Sequence, residues 1–403
     1  SNTKSQVTYI YQYIMRDLIK KILREEVGVP RGIVDSAQRL YNDIISRLKR
    51  KTITGNSNFI LTFKNVNGKY SFSDFQDFES IKVEFEFKEY SETDMHKGIL
   101  ILGMGHNGQS RLDDGFELIN LDTDNINLSI DLAIPETINE IDNKIIIKTL
   151  EDNKQMIVSS LSHELKHAYD GFKKPSEGLK QRSQYNVYSG TRFGIEEIDE
   201  FVYFLYFITV IENLVRPSEI YSLMQQGEIS QKDFLNFISS NRTYSTLKKI
   251  NEFSVDKLIE SLKQKPEEVD NLLSNVEDYE MPDSIDEKIN DLLKVIYLEL
   301  QKKTLQRAHS MLTNNFFEAL FGLSDEKMKF LNSFESEILK FKNNPLKYFE
   351  FQEKKFKFVS EKMIKRLSKL YSLAKPNPIK LVNKDPMTFE MRMLESKPRN
   401  IKS

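Results

Sequence analysis

The stretch Leu161-Ser162-His163-Glu164-Leu165-Lys166-His167-Ala168-Tyr169-Asp170 decides how this chain is read. Its core is H-E-x-x-H. In a helix, residues four apart share a face, so His163 and His167 point the same way. Two neutral imidazoles at that spacing can hold one Zn²⁺, and the carboxylate of Glu164 can reach a water bound to it. The plainer reading is a solvated helix face that happens to carry two histidines. The chain has 5 His in 403 residues, which puts a chance match at roughly 1 in 200 and favours a metal site.

The flanks agree with a helix. Ile157, Leu161, Leu165 and Ala168 recur at three- and four-residue steps and make one buried stripe, with Gly171 as the expected stop. The His pair borders that stripe, so it should face a cleft between this helix and another layer.

With these residues in view, the segment resembles the active-site helix of zincin metallopeptidases, and most of all the H-E-x-x-H proteins encoded by bacteriophages and their bacterial hosts. The resemblance covers roughly residues 150–225. The metzincin extension is absent, because Asp170 stands where that pattern has Gly and Lys173 where it has His. The resemblance therefore implies a gluzincin-like site whose third ligand is a downstream Glu. Glu196, Glu197, Glu200, Glu212 and Glu219 lie in range. The phage-type proteins that the segment resembles often carry this acid in a Pro-x-Glu-Ile segment, which matches Pro217-Ser218-Glu219-Ile220. That implies Glu219, with Glu212 and then Glu200 as alternatives. Glu219 has a simpler reading too, as a first-turn acid after a helix break at Arg216-Pro217 that complements the dipole of a restarting helix.

The resemblance also implies a chemistry. Zn²⁺ on two His and one carboxylate keeps a fourth position for water and lowers its pKa to about 7. Glu164 would be the general base of a peptide-bond hydrolysis. Tyr203, Tyr206, Tyr221, Arg216 and His106 are candidates for stabilising the oxyanion, and Asp170 for orienting a ligating His; each of them has an ordinary packing or surface reading as well.

Outward from the motif, four regions separate. Residues 1–52 read as a helical hairpin and 53–225 as the zincin-like domain. Residues 226–375 read as a helical region, and 376–403 as a tail. The expected fold is α+β, with a small mixed or antiparallel sheet packed on the metal-binding helix. Phe59–Phe63, Ile81–Phe87 and Ile126–Ile134 read as strands, the last two with strict apolar–polar alternation. Gly98-Ile99-Leu100-Ile101-Leu102-Gly103 reads as a more deeply buried strand, followed by a glycine-rich turn through Gly108. Asn67-Gly68 reads as a hairpin turn. The 126–134 strand is the expected edge beside an extended peptide substrate. Phe201–Leu214 reads as one buried helix.

Composition sets limits. Net charge is −2, hydrophobic content 39% and charged content 29%, as in ordinary globular chains. No run of 18 apolar residues is present, so no membrane span is expected, and no basic-then-apolar leader opens the chain. There is no Cys, so no disulfide framework supports the fold. These features favour a cytoplasmic or virion-associated setting. From Lys340 onward about 17 basic residues face about 6 acidic ones, interleaved with Tyr348, Phe349, Phe351, Phe356 and Phe358. That suggests contact with nucleic acid or an acidic partner, or simply an amphipathic helix with Phe inward and Lys outward. Nucleic acid is not the favoured partner.

Two function classes follow. One is a zinc metallopeptidase, an endopeptidase acting on a protein or peptide. The other is a phage virion, cargo or interaction protein that retains a zincin domain with little or no activity. A peptidoglycan amidase fits less well, because an extended edge strand suits peptides.

Overall fold

A computed structural model describes residues 32–50, 57–70, 78–91, 98–106, 110–112, 118–120, 124–136, 142–173, 179–277, 279–313 and 316–374. The first helix of the expected hairpin and the 376–403 tail lie outside these residues.

Helix α1 (Ile33–Arg50) buries Ile33, Ala37, Leu40, Tyr41, Ile44, Ile45 and Leu48 at helical spacing. It packs on β1 (Phe59–Lys64), on α2 (Asn143–Asp152) and on the motif helix α3 (Lys154–Lys173). The sheet adds β2 (Ser80–Tyr90), β3 (Leu100–His106) and β6 (Asn125–Pro135), in the order β1-β2-β6-β3. β1–β2 and β3–β6 are antiparallel and β2–β6 is parallel. A separate two-stranded ribbon, β4 (Ser110–Leu112) with β5 (Leu118–Asn120), lies between β3 and β6 in sequence. The mixed sheet against a helical layer matches the expected α+β class.

Two expectations about the strands reverse. The 126–134 segment is central, because β6 pairs with β2 on one side and β3 on the other and has no edge left for a substrate. The apolar 98–103 run leads into β3, which is one of the two edge strands. A register shift between Ile101 and Gly103 turns Leu102 outward, leaving it 55% exposed. Apolar content alone did not rank these strands, since β6 hides its polar positions Asn125, Asn127, Ser129 and Asp131 inside a fully paired strand. Asn67-Gly68 falls in a short 3-10 turn, with Asn67 at φ 56°, and the partner of β1 is β2 rather than a strand at Tyr70.

After α3, which runs past Gly171 to Lys173, come α4 (Leu179–Gly190), α5 (Glu196–Phe207) and α6 (Val210–Gln226). The apolar 201–214 run is thus two helices. Thr209 separates them and caps α6, its hydroxyl accepting from the Glu212 N–H at 3.4 Å. Pro217 does not break α6. It sits inside the helix, where it has no N–H to give to the carbonyl of Asn213. Arg366 supplies the missing donor, its Nη1 lying 3.3 Å from that oxygen. A long-range contact therefore overrides a local helix-breaking signal.

The remaining helices are α7 (Phe234–Ser240), α8 (Arg242–Glu252), α9 (Val255–Lys263), α10 (Pro266–Ser274), α11 (Ile285–Leu312), α12 (Phe316–Phe321), α13 (Asp325–Ile338) and α14 (Leu346–Ser368). A large cluster of buried residues draws on the chain from Ile33 to Ala374, and a second, small one joins Leu179, Ala308, Leu312, Phe334 and Ile338. In the basic helix α14, Tyr348, Phe349 and Phe356 point inward as an amphipathic helix requires. Phe351 and Phe358, however, are exposed among the lysines. His309 is an exposed residue of α11. No helix among the described residues is long and apolar enough to cross a membrane.

Candidate metal centre

Helix α3 presents His163 and His167 on one face, and α6 packs against α3 to bring an acid to them. That acid is Glu212. His163, His167 and Glu212 each place a ligand atom within 4.8 Å of the other two. The two Nε2 atoms are 3.1 Å apart. Glu212 Oε1 lies 3.5 Å from His167 Nε2 and Oε2 lies 3.8 Å from His163 Nε2. A tetrahedral ion with bonds of about 2.0–2.1 Å spaces its ligand atoms about 3.3 Å apart, so these three positions fit a zinc-sized cation. The donor set leaves one coordination position open.

Glu212 is fully buried, and its Oε2 accepts no hydrogen bond. That oxygen does lie 2.6 Å from Arg216 Nη2, so it has charge compensation without a well-directed hydrogen bond. Its other oxygen accepts from Tyr206 at 2.6 Å and Tyr185 at 3.4 Å. A buried carboxylate held by two phenols, with one oxygen toward each imidazole and one of them undersatisfied, is suited to a metal.

Glu219 takes a different position from the one expected. It lies 3.4 Å from His163 Nδ1, the ring nitrogen opposite the one facing His167 and Glu212. This is where a carboxylate fixes the tautomer of a ligating imidazole. Arg216 donates from Nη1 to Glu219 at 3.0 Å, so one guanidinium spans both acids, and it stacks 4.8 Å from the Phe207 ring centroid. Glu200 is on exposed α5 surface, paired with Lys249, and Glu197 pairs with Lys265. Asp170, expected to orient a histidine, is held by Lys166 instead.

The electrostatics express three buried acids sharing one arginine. Burial lifts the Glu164 carboxyl to about 7, Glu212 adding to the effect and His163 opposing it. Burial works against a charged His163, but the carboxylate of Glu212, with Glu219 and Glu164, outweighs it and holds the imidazolium up to about 10. Burial pushes His167 down to about 4, against the pull of Glu212. Glu212 stays well below the ordinary range despite its burial, because of Arg216 first and then the histidines.

Among the proposed oxyanion donors, Tyr206 is committed to Glu212, Arg216 to two acids, and Tyr221 to the core. His106, on β3, is pushed down to about 3 by burial, with His167 and Arg182 adding to it. Sequence reasoning did not single out Tyr185 or Arg182, because α4 carries no motif. Glu212 had a signal: it is an acid inside the most apolar stretch of the chain, where burial demands partners.

No family model, no curated protein and no solved structure matches this chain.

Proposed function

We propose that this protein is a zinc-dependent peptidase in which His163, His167 and Glu212 hold the metal and Glu164 is the general base. The observation that carries the reading is the ligand-atom spacing of 3.1–3.8 Å at an H-E-x-x-H helix, with one coordination position left over. When bound, the zinc would supply an acidified water and polarise the scissile carbonyl.

The chain's own residues do the rest. Glu164 follows His163 on α3 and carries a carboxyl lifted to about 7, which suits taking and returning a proton at neutral pH. Glu219 and Arg216 fix the ring of His163, and Tyr206 and Tyr185 fix Glu212. Along α3, a cavity of about 520 Å³ lined by Met156, Ser159, Ser160, Glu219 and Leu223 reaches the turn just before Glu164. β3, the outer strand against α3, offers backbone groups to an extended peptide.

The near-complete burial of the ligands favours a second reading. Here the metal ties α3 to α6 in an interaction or virion protein without turnover. His163 is 8% and Glu212 0% exposed. One experiment separates the two. Zinc-loaded protein and its Glu164→Gln variant are incubated with a mixed peptide library, and products are read by mass spectrometry. Cleavage that needs both Glu164 and the metal supports the peptidase. Stoichiometric zinc with no cleavage of peptides or unfolded protein substrates supports the structural role and overturns the proposal.

A further inference from the structure

Helix α14 packs one face into the core through Tyr348, Phe349, Phe356, Met363 and Leu367. The opposite face carries Phe351 and Phe358, seven residues or two turns apart, and they are 44% and 67% exposed. Lys347, Lys354, Lys355, Lys362 and Lys365 fall on the same face at steps of three and four, and all are exposed. Single exposed rings are ordinary, but two aligned rings framed by five lysines are not scattered residues. None of these lysines forms an ion pair among the described residues. Lysines on other helices are answered: Lys249 by Glu200, Lys265 by Glu197 and Lys288 by Asp270. Lys340, just before α14, adds to the patch, its Nζ lying 4.8 Å from the ring centroids of both Phe341 and Phe351. Glu350 and Glu361 border the stripe and leave it in excess positive charge.

Charge limits what can cover this face. A second copy docking through the same face would set lysine against lysine. Residues 375–403 carry 7 basic and 3 acidic residues, so that part of the chain has the same sign. The complementary partner is an anion, and three features choose among anions. The stripe runs for about 27 Å along the outside of one helix and is convex, whereas a single nucleic-acid strand is tracked by a groove. Its five charges are all Lys, compact charges on flexible stems, with no Arg fork to match a phosphate or carboxylate. Its two rings gain from contact only where an apolar layer lies beneath the partner's charge. A bilayer with anionic headgroups is flat, charge-dense and apolar below its surface.

We propose that the outward face of α14 binds an anionic lipid bilayer, with its five lysines at the headgroups and Phe351 and Phe358 inserted between them. One weak signal holds a protein to a membrane only marginally, and a polybasic stripe joined to apolar insertion makes a reversible peripheral anchor. The inference is independent of the metal centre.

Vesicle sedimentation tests it on the full-length protein at about 0.1 M salt. Vesicles of phosphatidylcholine alone are compared with vesicles containing about one-third phosphatidylglycerol. Binding to the anionic vesicles at least about 10-fold tighter is expected. The triple variant Lys354→Gln, Lys355→Gln, Lys362→Gln should lose about 100-fold, since each lysine near such a surface contributes about fivefold. The double variant Phe351→Ser, Phe358→Ser should lose at least about 10-fold. All five positions are exposed, and thermal melts confirm that both variants fold. The chain has no Trp, so Phe358→Trp gives a single reporter, whose emission should shift to the blue on anionic vesicles. No vesicle binding, equal binding to both compositions, binding unchanged in either multiple variant, or unshifted emission from the bound reporter overturns the proposal. A labelled single-stranded oligonucleotide is titrated under the same conditions. Oligonucleotide binding that is tighter than vesicle binding and is lost in the same variants would also overturn it, and would assign the face to nucleic acid.

Discussion

The two acids on α6 differ in their contact with the face that carries His163 and His167, and this difference is measurable. Glu212 meets Nε2 of both histidines, while Glu219 meets Nδ1 of one. On the proposed assignment, removing the first deletes a ligand and removing the second only loosens one. Zinc held by four protein ligands binds with about 10–16 kcal/mol, or about 2.5–4 kcal/mol per ligand, so Glu212→Gln should weaken binding about 100- to 1000-fold. Loss of an outer partner costs about 10- to 100-fold, which is the expectation for Glu219→Gln. The wild type and both variants are titrated with zinc against a chromophoric chelator at pH 8, with metal content confirmed by elemental analysis. Glu212→Gln also takes one of two acidic partners from the buried Arg216, so thermal melts must show that each variant is folded. Wild-type affinity in Glu212→Gln, with strong loss in Glu219→Gln, would refute the ligand assignment and return the third position to Glu219.

Other outcomes follow from the same geometry. Zinc must displace the proton that Glu212 and its neighbours hold on His163 up to about 10, so apparent affinity should rise about 10-fold per pH unit from pH 7 to 9; calorimetry in buffers of different ionisation enthalpy should show about one proton released, and pH-independent affinity would contradict this. The folded pKa of His163 is raised above 6.5, so its stabilising contribution in the metal-free protein is complete below that pH and lost as pH rises through about 10. Melting of the metal-free protein should therefore decline over that window more than that of the zinc-loaded protein, and parallel curves would argue against a charged His163. Glu164→Gln should keep full zinc content and lose about 100- to 10,000-fold in peptide hydrolysis, whereas loss of zinc would make Glu164 a ligand. Arg366→Met should leave the Asn213 carbonyl without its donor beside Pro217 and cost about 1–3 kcal/mol in urea unfolding, with no change meaning that α6 tolerates Pro217 unaided.

The sequence by itself determined the local features. His163, Glu164 and His167 lie on one helical face because helical periodicity is a property of the chain alone, and the alternation in β2 announced a half-buried strand. The α+β class followed from where those two periods occur. Pairing and long-range partners were decided only in three dimensions. Neighbours in the sheet made β6 central and β3 an edge, although both read as apolar strands. Arg366, about 150 residues downstream, kept α6 helical through Pro217 and so set where its acids point. Glu212 and Glu219 are seven residues apart, two helical turns, and both lie near His163. Whether an acid meets Nε2 or Nδ1 depends on how α6 is laid against α3, and sequence spacing carries no information about that.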